Sequence, residues 1–324
     1  MNKKLTQKDF DDFKESIEDL IKLYKESRLS KMENAEESEE ERLARLRRFG
    51  QELRKDIDEA GKFVKIKEEQ GRKSKLTPQE KVYILIIKEY LGLSNRETAE
   101  LASLLNLTKE EISYKTVERL YSDPDVFVIL YNLLSKTVGG LKVDAVMDGT
   151  GYSLVVTKHY RSEREKSGEG VKEGRDFVYS FFIFDLGSNL IVAYGYSLKS
   201  EREAYEMALE VLRDLGVEVD SLRADKYYGK STLDDFPDSE VYLIPKSNAT
   251  IKGGKRWREM VLRFMRNPLE YLEEYFKRER AESLISSIKR RTGWIINKVR
   301  EERIHLTVLA RVAIHDLLWS KALD

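Results

Sequence analysis

Residues 143–151 read VDAVMDGTG. Val143, Ala145, Val146 and Met147 make a short, mostly apolar strand, and Asp148 stands at its carboxyl end. Gly149 behind it lets the chain turn with little obstruction. SLVVT at 153–157 resumes almost at once, so the spacing predicts a β-hairpin. FVYSFFIF at 177–184 is a third strand, and LIVAYGYSL at 190–198 extends it or forms a fourth. Ser200 to Glu203 form a capping box that opens a helix over AYEMALEVLRDLG. A short strand then leads to Asp225 in SLRADKYYG, and VYLIP at 241–245 is the next. A meander followed by a helix and further strands implies an α/β fold, a mixed β-sheet flanked by helices. The stretch RIHLTVLARVAIHDLLWSKA at 303–322 has the apolar content of a packing helix. KHYRSEREKSGEGVKEGRD at 158–176 reads as a surface loop.

The chain has 324 residues, enough for one or two folding units. Residues 1–75 are dense in charge and predict a charged helical extension broken near Gly50 and Gly61. Residues 76–138 form a second, helical region, and Gly139-Gly140 mark the boundary with a domain over 139–324. The absence of cysteine excludes disulfides and thiol nucleophiles. No apolar run approaches the ~18 residues of a membrane span, so a cytoplasmic protein without a membrane partner is expected. Basic and acidic residues balance at 58 each, yet residues 251–300 hold 14 Lys or Arg against 6 Asp or Glu. That local excess suits a phosphate backbone better than the zero total suggests. Lys255 and Arg256 lie in it as candidates for non-specific DNA contacts, while Trp257 fits either a partly buried core position or a stack on a displaced base.

Helix signals are sharpest before the strands. Thr77-Pro78-Gln79-Glu80 combines an N-cap, a proline at N1 and a glutamate at N3, with Gly92 as the stop. Ser94-Asn95-Arg96-Glu97 starts a second helix, and Thr108-Lys109-Glu110-Glu111 predicts a third running through Arg119. Three short helices with tight turns fit a helix-turn-helix that would offer Lys115 and Arg119 to the major groove; a small docking bundle fits as well.

Residues 275–289 read YFKRERAESLISSIK. On one helix, Tyr275, Arg278, Glu282 and Lys289 would fall within an arc of about 60°. A carboxylate framed by two cations and a phenol can hold a metal beside a phosphate backbone. Asp148, Asp225 and Glu282 together would suit Mg2+, with Mn2+ as an alternative, because hard divalent ions take carboxylate oxygens and relieve their mutual repulsion. Two such ions both activate the nucleophile and stabilise the leaving oxygen in phosphodiester cleavage. Each residue alone also has an ordinary reading: an aspartate in a turn, a surface glutamate, a packed tyrosine, a solvated lysine.

The spacing Tyr275, Arg278, Glu282, Lys289, with Asp148-Gly149-Thr150 and Ala224-Asp225-Lys226-Tyr227-Tyr228-Gly229 upstream, resembles the signature of insertion-sequence transposases with an Asp-Asp-Glu triad. The resemblance covers about residues 140–320. It implies a ribonuclease-H-like catalytic domain over 139–324, with Asp148 on the first strand, Asp225 at the fourth and Glu282 on a later helix. It also implies Mg2+-dependent cleavage at transposon ends, strand transfer into target DNA, terminal phosphates held by Tyr275, Arg278 and Lys289, and a homodimer assembled on DNA. Asp225 and Glu282 stand only 57 positions apart, so the large β-rich insertion of some relatives is absent or much reduced. A metal-dependent nuclease without strand transfer and an inactive, domesticated DNA-binding descendant are the competing functions.

Overall fold

The computed structural model describes residues 6–29, 38–64, 74, 76–154 and 177–320. Five strands form one sheet in the order β3-β2-β1-β4-β5. They are β1 (Lys142–Ser153), β2 (Phe177–Asp185), β3 (Ile191–Ser197), β4 (Glu218–Arg223) and β5 (Glu240–Tyr242). β1, β2 and β3 pair antiparallel, whereas β4 lies parallel to β1 and β5 parallel to β4. The mixed α/β sheet flanked by helices is therefore present.

Its first strand corrects the expected hairpin. β1 does not turn at Gly149 but continues to Ser153, with Asp148 opposite Phe182 and Ser153 opposite Phe177. A long antiparallel partner outweighs the turn preference of two glycines, neither of which has positive φ. Leu154 is not in a strand, and residues 155–157 of SLVVT lie outside the described residues, as do 158–176.

Helices cover both faces. α7 (Glu201–Asp214) is capped by Ser200 and packs on β2 and β3. The other side carries α12 (Glu301–Ser320), buried at every position from Leu306 to Leu318. It contacts β3 and three helices from the first half of the chain: α2 (Glu39–Gly61), α3 (Pro78–Leu91) and α6 (Pro124–Val138). Its buried polar groups have partners: Asp316 accepts the Ile191 N–H at 2.8 Å, and Arg311 donates to the carbonyls of Gly293 and Ile295.

The charged N-terminal stretch is not a solvated appendage. In α1 (Gln7–Leu29), Phe10 and Ile17 are buried, and in α2 so are Phe49, Leu53 and Ile57. α2 passes straight through Gly50 and ends at Gly61. These apolar residues join the sheet and the later helices in one continuous core.

α3 and α4 (Asn95–Leu104) have the expected capping boxes, and Gly92 closes α3 in the left-handed conformation at φ 66°. The third helix differs. Thr108 donates its hydroxyl to the Glu110 carbonyl instead of capping, and Ser113 caps a seven-residue α5 (Tyr114–Leu120). Lys115 and Arg119 are exposed on it. Asp123 caps the 15-residue α6, with Pro124 as its first residue. No described helix is long and apolar enough to cross a membrane.

Candidate active site

Val146 of β1 is level with Arg223, the last residue of β4. Asp148 and Asp225 each lie two residues further on, so two adjacent parallel strands bring them to one level just past the carboxyl end of β4. Asp148 sits within β1, with one oxygen accepting its neighbour Gly149 N–H at 2.9 Å. Asp225 begins the loop after β4 and accepts the Tyr227 N–H at 2.8 Å. One Asp225 oxygen thus does the turn work common to aspartates, and the other faces Arg278.

Residues 275–289 are not one helix. α10 (Pro268–Phe276) ends before Lys277, and α11 (Glu279–Thr292) begins after Arg278. Lys277 and Arg278 keep right-handed helical dihedrals, and the break is a tightened turn whose N–H groups reach back three residues instead of four, with no glycine or proline to announce it. α10 is tied to the sheet by Glu274, which pairs with the buried Arg223 of β4. The short α8 (Ser231–Asp235) and then α9 (Lys255–Arg266) precede it.

Arg278 stands at the break, and one of its terminal nitrogens lies 3.4 Å from Asp225 and 3.0 Å from Glu282. Asp148 completes the group electrostatically. Burial pushes its carboxyl up to about 6, and the charges of Glu282 and Asp225 push the same way, against the Gly149 N–H and Arg278. Two strands and a crossing helix so bring Asp148, Asp225 and Glu282 into one electrostatic neighbourhood.

All three offer hard anionic oxygen, the donor chemistry that suits Mg2+ or Mn2+. As they stand, no three acidic or histidine side chains among the described residues are close enough to clasp an ion. Arg278 is the positive group between two of them.

Tyr275 and Lys289 do not lie on an open edge. Tyr275 is 3% exposed, under the Arg278 guanidinium at 5.5 Å. Lys289 is 7% exposed and donates to Thr150 Oγ1 and to the Gly151 carbonyl, which ties α11 to β1 just past Asp148. Burial, and then Arg311, holds its ammonium below the usual lysine range.

Arg256 is engaged internally: its guanidinium donates to the carbonyls of Leu233, Phe236 and Ser239. Trp257 is buried, donates to the Thr250 carbonyl at 3.0 Å and packs edge-on to Phe10. It has no face open to a base. Lys255 is exposed and only loosely paired with Glu259 at 3.7 Å. Arg256→Ala should therefore cost about 2–3 kcal/mol by leaving three carbonyls without their donor. Lys255→Ala should change stability by less than about 0.5 kcal/mol. Urea unfolding of both variants checks the contrast.

Two further residues frame the site. Tyr228 donates its hydroxyl to Glu201, the first residue of α7. Burial and the nearby Glu201, Asp148 and Asp225 keep that phenol protonated. The Glu201 carboxylate in turn rests on Gly149, where an added Cβ would meet its Cδ at 2.5 Å. Gly149 is therefore needed for a close approach and not for a turn. Tyr228 lay within the quoted motif around Asp225, whereas Glu201, 52 positions beyond Gly149, gave no local signal.

No protein-family model matches the chain. It is 38% identical over 259 residues to a protein of Archaeoglobus fulgidus described as "Probable transposase for insertion sequence element ISA1214", an alignment covering 78% of this chain and 78% of that protein.

Proposed function

The chain belongs to the family of that archaeal insertion-sequence transposase, and from this premise we propose that it is a DNA transposase of the Asp-Asp-Glu type on a ribonuclease-H-like sheet. The observation that carries the reading is that one guanidinium pairs with both Asp225 and Glu282, with Asp148 within electrostatic reach of all three. Residues 76–138 act as the DNA-reading unit and 139–324 as the catalytic domain, and two copies on DNA bring two transposon ends together.

Asp148, Asp225 and Glu282 are the residues that would hold Mg2+, or Mn2+ in its place. When bound, such ions raise the nucleophilicity of water or a 3′-hydroxyl and stabilise the departing oxygen. The chain's own residues supply position. The Asp225 turn and the Tyr228–Glu201 contact fix the loop after β4 against β1. Lys289 steadies the segment after Asp148 from α11. Arg278 offers a positive group to the phosphate being attacked, and Lys115, Arg119 and Lys255 contact the DNA backbone or its groove further out.

The test is an assay of purified protein with Mg2+, a duplex carrying its own element ends and a target plasmid. Cleavage at the ends and covalently joined donor–target product are expected. Asp225→Asn and Glu282→Gln should each lower both by at least roughly a thousand-fold. Cleavage without joined product would mean a nuclease, and DNA binding without either a structural protein. Undiminished activity in Glu282→Gln would sink the assignment.

A further inference from the structure

Asp148, Asp225 and Glu282 would carry three negative charges in a partly buried space, and Arg278 supplies one positive charge among them. Arg278 holds two of them through one terminal nitrogen, which donates to Glu282 at 3.0 Å and lies 3.4 Å from Asp225, while its guanidinium rests over the Tyr275 ring at 5.5 Å. Its Nε is buried and makes no hydrogen bond among the described residues. The backbone of Arg278 is fixed where α10 gives way to α11, so the long side chain can swing while its anchor stays still.

We infer that Arg278 is a built-in stand-in cation, which keeps Asp225 and Glu282 together before a divalent ion arrives and moves onto a substrate phosphate when it does. This rests on the metal-holding role proposed above for the carboxylates. An ion entering between Asp225 and Glu282 needs the oxygens that Arg278 now faces. A guanidinium that is displaced but has no new partner remains close enough to repel the ion. A DNA phosphate gives it that partner. Metal and DNA therefore bind with positive coupling, and the coupling is reciprocal. The chain resists loading with metal in the absence of DNA, and the residue that enforces this is the one that grips the phosphate.

The experiment titrates Mn2+ into the full chain, free of other metals, and follows bound ion by electron paramagnetic resonance, with and without a short DNA duplex of arbitrary sequence at low salt. Wild type, Arg278→Gln, Arg278→Lys and Glu282→Gln are compared after circular dichroism shows each folded. Without DNA, R278Q should bind Mn2+ at least roughly ten-fold more tightly than wild type, because a competing unit charge is gone. R278K keeps the charge and should stay within about three-fold of wild type. The duplex should tighten Mn2+ binding by wild type roughly ten-fold and leave R278Q nearly unchanged. The wild-type comparison needs no variant, so it stands even if R278Q does not fold. Binding by R278Q no tighter than wild type, or an equal effect of the duplex on both, overturns this inference alone. Mn2+ binding that is absent throughout, or undiminished in E282Q, overturns the metal role of the carboxylates and the inference with it.

Discussion

Asp148→Asn should abolish DNA cleavage and, in the same protein, raise the melting temperature of the metal-free chain. The first effect follows from chemistry. A neutral amide neither balances a divalent cation nor matches a carboxylate as a hard ligand, so a loss of at least roughly a thousand-fold is expected. The second follows from proton affinity. Burial pushes the Asp148 carboxyl from its ordinary 3.8 up to about 6 in the folded chain. The folded state therefore binds the proton better. This contribution to stability is fully present below about pH 4 and is lost as pH rises through 6. At pH 7.5 an ionised, half-buried Asp148 works against folding by about 2 kcal/mol once solvent screening is allowed for. Asparagine removes that charge, for a gain on the order of 2–4 °C. Melts in chelator at pH 7.5 and pH 4.5 check the sign: the advantage should appear at the higher pH and shrink at the lower. A variant that keeps cleaving, or one that is less stable than wild type at pH 7.5, would contradict the placement of Asp148.

Gly195→Ala should be the most damaging single methyl in the sheet. Gly195 lies on β3 beneath α7, and an added Cβ would stand 1.9 Å from the Ala204 carbonyl oxygen and 2.8 Å from the Ala208 nitrogen. Both are main-chain atoms of a helix, so neither can rotate aside. Relief requires α7 to lift from β2 and β3, at a cost of about 3 kcal/mol or more. Urea unfolding should show the loss directly, with much of the protein insoluble at 37 °C. Gly149→Ala is the useful contrast, because there the obstruction is the flexible end of Glu201. It should cost less stability but disturb the Tyr228–Glu201 contact beside Asp225. A Gly195→Ala chain within about 1 kcal/mol of wild type would mean that α7 is not seated as described.

What the sequence revealed and what it hid divide along physical lines. Most of the local capping signals held: Thr77 with Glu80, Ser94 with Glu97 and Ser200 with the Glu203 N–H start helices, whereas Thr108 turns its hydroxyl to the Glu110 carbonyl and starts none. The apolar run at 177–184 lies within β2, and the order of elements gave the mixed sheet. Where a distant partner decides, local reading failed. β1 runs through Gly149 and Gly151 because β2 pairs along it. α1 and α2 bury a few widely spaced apolar residues, which dense charge had disguised. The break at Lys277 and Arg278 keeps helical dihedrals, so periodicity reads across it as though nothing happened. Arg256 looked like a phosphate ligand because a sequence shows charge but not the carbonyls waiting for it.

The enclosure of α12 bears on how the molecule is made. This helix touches α2, α3, α6 and β3, yet it is the final helix described and follows all of them in the chain. During synthesis the earlier elements leave the ribosome long before the helix they surround, and a chain elongates at about 5–20 residues per second. Until then they hold an open apolar slot, the kind of surface that chaperones bind and that promotes aggregation. Completion of the core, and with it the setting of β1 against its neighbours, therefore waits for α12 to follow the elements it joins. Until α12 docks, β1 lacks the Arg311 guanidinium that lies over Tyr152, and the strand carrying Asp148 is not yet fixed.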